Sequence, residues 1–350
     1  MSAQASAASA STLACRLAQA CATLDAQRGD RPRVPSWPQP PAPAARAPAA
    51  PRAIADRAVG WLDAHLQWFD PQLWERHLPP RPFPGGPVLE LLLLCRQLRE
   101  HPTAANDAFV SAAVEIAERV VERPEFVDGL YRAPQLFTYH LWLLAALEAL
   151  DGAAGGARTV AEALLSAGRT GLPNPGAAAI GALELRHVLD LAALPADLPP
   201  VTRLGHRWWR EHTRNPLVLG DRDVYALTHA VFYCTDFGRF ALPLSERERR
   251  ELVELVVVLL GAALARRDAD LGAELLHAAR IAGGRSHPAA VAGWAQLSHA
   301  QRPDGAIPGP LFEAATAHRL RGERAIAYAF GTGYHTTVVG AIAALDRDGS

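Results

Sequence analysis

The chain has 350 residues, of which 49% are hydrophobic and 20% charged, with a formal net charge of −1. That length is enough to bury a sizeable core, and the charge balance speaks against a nucleic-acid footprint or a polybasic membrane face. All 35 basic residues are Arg; without Lys the chain can form no Lys Schiff base and carries no Walker A or kinase lysine, which excludes imine, PLP and those phosphoryl-transfer chemistries.

Residues 1–30 have no basic start followed by a long apolar run, so they do not read as a signal peptide. The longest apolar stretches, such as 255–265, are shorter than a membrane span needs. A soluble, cytoplasmic protein is therefore expected. Cys15, Cys21, Cys95 and Cys234 form no C-x-x-C pair, which argues against a zinc site or a disulfide framework. Residues 31–52 are rich in Pro and Ala and poor in large apolar groups, the composition of a linker that cannot offset its ordering entropy. This gives a disordered leader over 1–52, with a short amphipathic helix over 11–25 that could dock a partner protein, and a folded domain over 53–350.

From residue 53 onward the apolar spacing predicts helices at 53–68, 87–100, 107–122, 134–150, 157–168, 177–193, 200–213, 222–236, 246–266, 269–282, 288–300 and 326–345. Pro and Gly clusters separate them, among them Pro84-Gly85-Gly86, Pro124, Gly283-Gly284 and the run from Pro303 to Pro310. Ser245 followed by Glu248 predicts a capping box at the start of 246–266. Strand-like alternation is almost missing. Helices that are apolar all round (134–150, 222–236, 326–345) alternate with amphipathic, charged ones, the pattern of inner and outer members of a hairpin.

The apolar helices share a local pattern: Tyr139-His140, Arg186-His187, Thr228-His229 and Tyr334-His335 each open an apolar run, and Glu90 and Glu274 stand where the His would be. These six positions lie 42 to 61 residues apart, a spacing that suits a repeated helical hairpin. Six hairpins predict an all-α (α/α)6 toroid. Together with the fragment Gln301-Arg302-Pro303-Asp304-Gly305, this pattern resembles the α/α-toroid superfamily of terpenoid cyclases, prenyltransferase β-subunits, lanthionine cyclases and some glycan lyases and hydrolases. The segments from Thr228 to Gly238 and from Tyr334 to Thr337 also resemble a bacterial family of unassigned activity.

If the apolar helices face one axis, the imidazoles and carboxylates converge on a shared cavity, where they suit acid–base work. The alternative for each His is a core histidine bonded to a nearby carbonyl. The candidate acid–base residues are His229, His335, His140, Glu274, His187 and Asp236. Candidate substrate-binding residues are Tyr225, Tyr233, Tyr139, Tyr334, Arg186 and Glu90, with Arg186 as an anion clamp. Tyr225, His229, Tyr233 and Asp236 share one helix face, as do Asp270, Glu274 and His277. Asp221 and Asp223 read as helix-capping residues; the pattern Asp221-Arg222-Asp223-Val224 lacks the last acid of the Asp-x-Asp-Asp motif that class II terpenoid cyclases use. Trp208-Trp209 read as packing indoles, and Gly331-Thr332-Gly333 as a site of close helix packing. Neither H-E-x-x-H nor H-x-x-x-H occurs, so no metal or other cofactor is expected, although His and Glu from separate helices could build a mononuclear site.

These residues point to a tailoring enzyme of bacterial secondary metabolism that uses a small-molecule substrate. Cyclisation or elimination fits best, because no nucleophile or nucleotide machinery is evident. The competing readings are a non-catalytic scaffold that binds another enzyme, and a toroid glycan hydrolase or lyase.

Overall fold

A computed structural model describes residues 50–168, 179–195, 197–212 and 215–345. The disordered leader expected over 1–52 lies outside the described residues up to 49, and the first helix already begins at Pro51. The helix expected at 11–25 lies outside the described residues.

Among the described residues there are fifteen α-helices and no strands. They are α1 (Pro51–Ala64), α2 (Pro71–His77), α3 (Gly86–Leu98), α4 (Ala104–Val121), α5 (Pro124–Arg132), α6 (Phe137–Glu148), α7 (Gly155–Ser166), α8 (Ala179–Leu191), α9 (Val201–Glu211), α10 (Asp221–Thr235), α11 (Glu246–Arg266), α12 (Ala269–Ala282), α13 (Pro288–Ala300), α14 (Ala314–Arg319) and α15 (Glu323–Ala344). Every helix expected from the spacing is present, and α11, α12 and α13 keep the expected bounds.

Three short helices were not foreseen: α2, α5 and α14. Two of them, α2 and α5, begin at a proline, Pro71 and Pro124. Pro124 was read as a stop; at the first helical position it costs no hydrogen bond and its fixed φ suits the helix. Asp70 ties these two starts together. Its carboxylate caps Gln72 N at 2.8 Å and accepts both guanidinium nitrogens of Arg123, at 2.8 and 2.7 Å. Burial works to raise the Asp70 pKa, but the Arg123 contacts outweigh it and hold the carboxyl below its ordinary range.

The helices fall into two sets. The first, α3, α6, α8, α10, α12 and α15, contact one another in that order, and α15 contacts α3. The second, α1, α4, α7, α9, α11 and α13, each back onto one of the first: α4 on α3, α7 on α6, α9 on α8, α11 and α13 on α12, and α1 on α15. Among the described residues this order of contacts is cyclic, and the N-terminal α1 packs on the C-terminal α15.

Composition follows position. In α6 all residues from His140 to Leu147 are buried, at about 1.5–3 kcal/mol for each large apolar side chain. In α9 only Leu204, Gly205, Trp208 and Trp209 are buried, so the paired indoles pack inward from a wetted helix. The capping box of α11 forms as expected, with Ser245 N donating to Glu248 Oε2 at 2.9 Å and Glu248 N to Ser245 Oγ at 3.3 Å.

The Gln301–Gly305 fragment is a clasp. Gln301 Nε2 donates to Ile54 O at 3.0 Å in α1 and to Gly305 O at 2.9 Å. Gly305 has φ +103°, and a Cβ there would collide with the Arg57 carbonyl. Only glycine combines that conformation with that approach. Gly331, in α15, sits against the Leu78 side chain, 2.7 Å from where its Cβ would be, the close packing expected for the Gly-Thr-Gly segment.

Candidate functional site

A cavity of about 430 Å³ lies among the six helices of the first set. Each contributes side chains: Leu89, Glu90 and Leu93 from α3, Tyr139 and Trp142 from α6, Glu184 from α8, His229, Phe232 and Tyr233 from α10, Glu274 and His277 from α12, and His335, Val338, Val339 and Ile342 from α15. Residues 81–83 and 86, Leu136 and Phe237 complete the lining. Pro82 and Tyr139 are exposed and mark the mouth. The walls are largely apolar and aromatic, with a few polar groups converging inside, the composition of a small-molecule site.

Two imidazole–carboxylate groups stand in this cavity. His335 Nδ1 lies 2.8 Å from Glu90 Oε2, and its Nε2 lies 3.6 Å from Asp270 Oδ1. Asp270 is fixed in turn by Tyr225 OH at 2.7 Å and Thr336 Oγ1 at 2.6 Å. Tyr334 OH approaches Glu90 Oε1 at 3.4 Å. Burial alone would lower the His335 pKa; Glu90, Asp270 and Glu274 outweigh it and lift the pKa to about 10. His335 is therefore a cation at neutral pH.

In the second group, His229 Nε2 lies 3.6 Å from Glu274 Oε1, and the Thr228 hydroxyl holds the other Glu274 oxygen through a short hydrogen bond. Burial again works to lower the pKa of His229, and the carboxylates of Glu274 and Glu184 prevail, so it is raised. Both imidazole side chains keep just over 40% of their surface accessible, because they open onto the cavity. Glu274 is 2% exposed and Asp270 5%. Such buried carboxylates persist only with partners, which the two imidazoles and three hydroxyls provide.

Glu184 differs from the other carboxylates. Tyr233 OH donates to its Oε1 at 2.9 Å, and it makes no ion pair among the described residues. Burial raises its pKa against the opposing pull of Tyr233 and His229. In turn, burial and the Glu184 charge raise the pKa of Tyr233. Trp142 Nε1 is buried with no hydrogen-bond partner among the described residues, and its ring meets Tyr233 edge-on at 5.6 Å.

Of the residues named from sequence, Glu90, Tyr139, His229, Tyr233, Glu274 and His335 line the cavity together. Tyr225 and Tyr334 stand behind the lining and orient Asp270 and Glu90. The other four serve elsewhere. His140 Nδ1 bonds Leu136 O at 3.0 Å, and its ring packs against Phe83 and Phe126; burial lowers its pKa. This is the core-histidine alternative. Its Nε2 faces Gly129, 2.6 Å from where a Cβ would stand. His187 is buried against Trp142 and Tyr233, and burial pushes its pKa down to about 4. Arg186 is no anion clamp: its Nε donates to Asp190 at 2.9 Å and its Nη1 to Leu198 O at 3.2 Å. That pairing also takes Asp190 away from His187.

Asp236 closes the end of α10. Arg96, 3% exposed, donates to it through both terminal nitrogens, at 3.0 and 2.8 Å. Burial would raise the Asp236 pKa, but Arg96 holds it below the ordinary range. The backbone at Asp236, Phe237 and Gly238 is left-handed throughout, with φ of +47°, +57° and +90°. This reversal aims Asp236 at α3 and places Phe237 in the cavity lining. Thr235 Oγ1 steadies it by accepting Gly238 N at 3.0 Å. The Thr-Asp-Phe-Gly segment is thus a structural stop.

Sequence reasoning did not single out Glu184, Trp142, Phe232 or Arg81. Glu184 could have been found, because Arg186 and Asp190 pair at i, i+4 and leave Glu184 as the one uncompensated charge of α8. Asp223 behaves as a capping residue, with Gly220 N donating to its Oδ2 at 2.9 Å, whereas Asp221 in the same first turn pairs with Arg266 at 2.9 Å. Among the described residues no group of three or more His, Cys, Asp or Glu is arranged to hold a metal ion, and no helix is long and apolar enough to cross a membrane.

Residues 55–345 match a family described as a domain of unknown function, DUF6895. The chain belongs to this family. No curated protein and no solved structure matches it. The DUF6895 match runs from α1 to the end of α15 and takes in every residue of the cavity lining.

Proposed function

We propose that this DUF6895 protein is an enzyme that moves protons on a small, largely apolar molecule held in the central cavity, in a cyclisation or an elimination. The observation that carries the reading is the pair of imidazole–carboxylate groups brought by four different helices to one apolar cavity.

The roles divide by pKa. A general acid or base works best when it titrates near the working pH. His335, lifted to about 10, is a fixed cation that balances Glu90 and Asp270 and stabilises negative charge developing beside it. Burial raises the pKa of Glu184 and the neighbouring carboxylates raise that of His229, which makes Glu184 a stronger base and holds the His229 proton more tightly. In the proposed step a carboxylate, Glu184 or Glu274, accepts a proton from one carbon of the substrate, and the imidazolium of His229 delivers one elsewhere. For an elimination the second proton goes to the leaving group; for a cyclisation the carbanion adds to one carbon of a double bond and the second proton goes to the other carbon of that double bond. Either way the protein returns to its starting protonation once the carboxylate that accepted the proton passes it to His229.

A role in bacterial secondary metabolism remains part of this proposal. The test is incubation of the purified protein with a small-molecule extract of its native cell, followed by mass spectrometry. The wild type is expected to convert one compound into an isomer of equal mass, or into a product lighter by a small neutral molecule. Glu274→Gln is expected to slow that conversion by roughly 100-fold or more while its circular dichroism spectrum is unchanged. Conversion at equal rates by wild type and variant, or none by the wild type, would contradict the proposal and leave a binding role for the cavity.

A further inference from the structure

The cavity carries more negative than positive groups. Glu90, Glu184 and Glu274 line it and Asp270 stands directly behind His335, whereas the imidazoles of His229 and His335 are the basic groups paired with these carboxylates among the described residues. Arg81, at the rim, is turned to aromatic faces, with its guanidinium carbon 4.3 Å from the Trp74 ring centre and 5.0 Å from that of Tyr334. His335 is taken up by Glu90 and Asp270, and His229 by Glu274. Glu184 makes no ion pair among the described residues and feels the His229 charge only from farther off.

Its surroundings are aromatic. Tyr233 holds it by a hydrogen bond at 2.9 Å and is met by Trp142 at 5.6 Å, while Tyr139 stacks on Phe83 at 6.0 Å beside the mouth. A carboxylate that lines one cavity with indole and phenol rings is the chemistry that receives an organic ammonium ion: the rings attract the cation and replace its water, and the carboxylate neutralises it. A small anion would meet Glu184 and Glu274 and be repelled. A neutral molecule would leave the half-buried Glu184 charge with only the Tyr233 hydroxyl and a share of His229.

We propose that the ligand of this cavity is an apolar molecule bearing one ammonium group, seated on Glu184 between Trp142, Tyr139 and Tyr233. This rests on the cavity being a small-molecule site, as proposed above, but not on turnover.

The experiment is isothermal titration of the full chain at neutral pH with three probes of similar size: benzyltrimethylammonium, benzyl alcohol and phenylacetate. The expected result is saturable binding of the ammonium probe, at least tenfold tighter than either of the others. The wild-type comparison needs no variant. A second titration with Glu184→Gln, checked for an unchanged unfolding temperature, is expected to remove the preference for the cation. Tighter binding of phenylacetate, no saturable binding of the ammonium probe, or a preference that survives Glu184→Gln would each overturn the proposal. Because the readout is binding, its failure beside an intact conversion in the extract assay would reject the ammonium ligand and leave the enzyme reading standing.

Discussion

At His335 and His187 one residue type is driven in opposite directions by its neighbours. Glu90, Asp270 and Glu274 overcome the cost of burial at His335 and lift its pKa to about 10; at His187 burial prevails and the pKa falls to about 4. The consequences for stability have opposite signs. His335 binds its proton more tightly folded than unfolded, so its contribution is complete below pH 6.5 and fades as the pH climbs toward 10. His187 binds its proton more weakly folded, so its contribution is complete above pH 6.5 and is lost as the pH falls toward 4. Imidazole NMR titration should therefore show one histidine still protonated at pH 8 and another still neutral at pH 5. In Glu90→Gln the first of these midpoints should move down. A His335 midpoint below 7 in the wild type would contradict the ion-pair assignment.

At the scale of helices, two joints hold the arrangement. The Arg96–Asp236 pair ties the end of α10 to α3. Removing one partner of a buried pair strands the other, at a cost of about 3–5 kcal/mol, so Arg96→Met should lose stability of that order in urea denaturation. Arg96→Met combined with Asp236→Asn should recover part of it, because Asn tolerates the left-handed backbone at that position. The second joint is the clasp at Gly305 that joins α1 to the turn after α13. Gly305→Ala adds a Cβ to a positive-φ residue in contact with the Arg57 carbonyl, and should cost about 1–3 kcal/mol. An unfolding midpoint equal to wild type would remove the clasp from the account.

The helices themselves were legible because an apolar stripe leaves a 3.6-residue period whatever its partner. The short α2 and α5 were not, since a proline that starts a helix and one that stops it look alike without the capping partner, here Asp70 for α2. The site was legible in part. His229, His335, Glu90 and Glu274 stand out as polar groups in apolar runs, and they meet in the cavity. His140 and His187 share the same pattern but turn into packing layers. A helix rotates about 100° per residue, and which side of α6 and α8 faces the centre depends on tertiary packing that no local spacing encodes. Hence Trp142 and Glu184 take the places assigned to those two histidines.

For the whole molecule, the closed order of contacts is what makes a cavity out of twelve hairpin helices. Each inner helix contributes only one or two polar groups, and none could act alone. The account therefore stands on the space they share. Val339 is an apolar lining residue one helical turn beyond His335, so Val339→Phe is expected to fill the cavity while removing none of its titratable side chains. The most direct measurement is conversion in the extract assay by this variant beside the wild type, with unfolding temperatures matched. The account predicts that Val339→Phe folds and loses conversion; a variant with the cavity filled that converts substrate at the wild-type rate would contradict it.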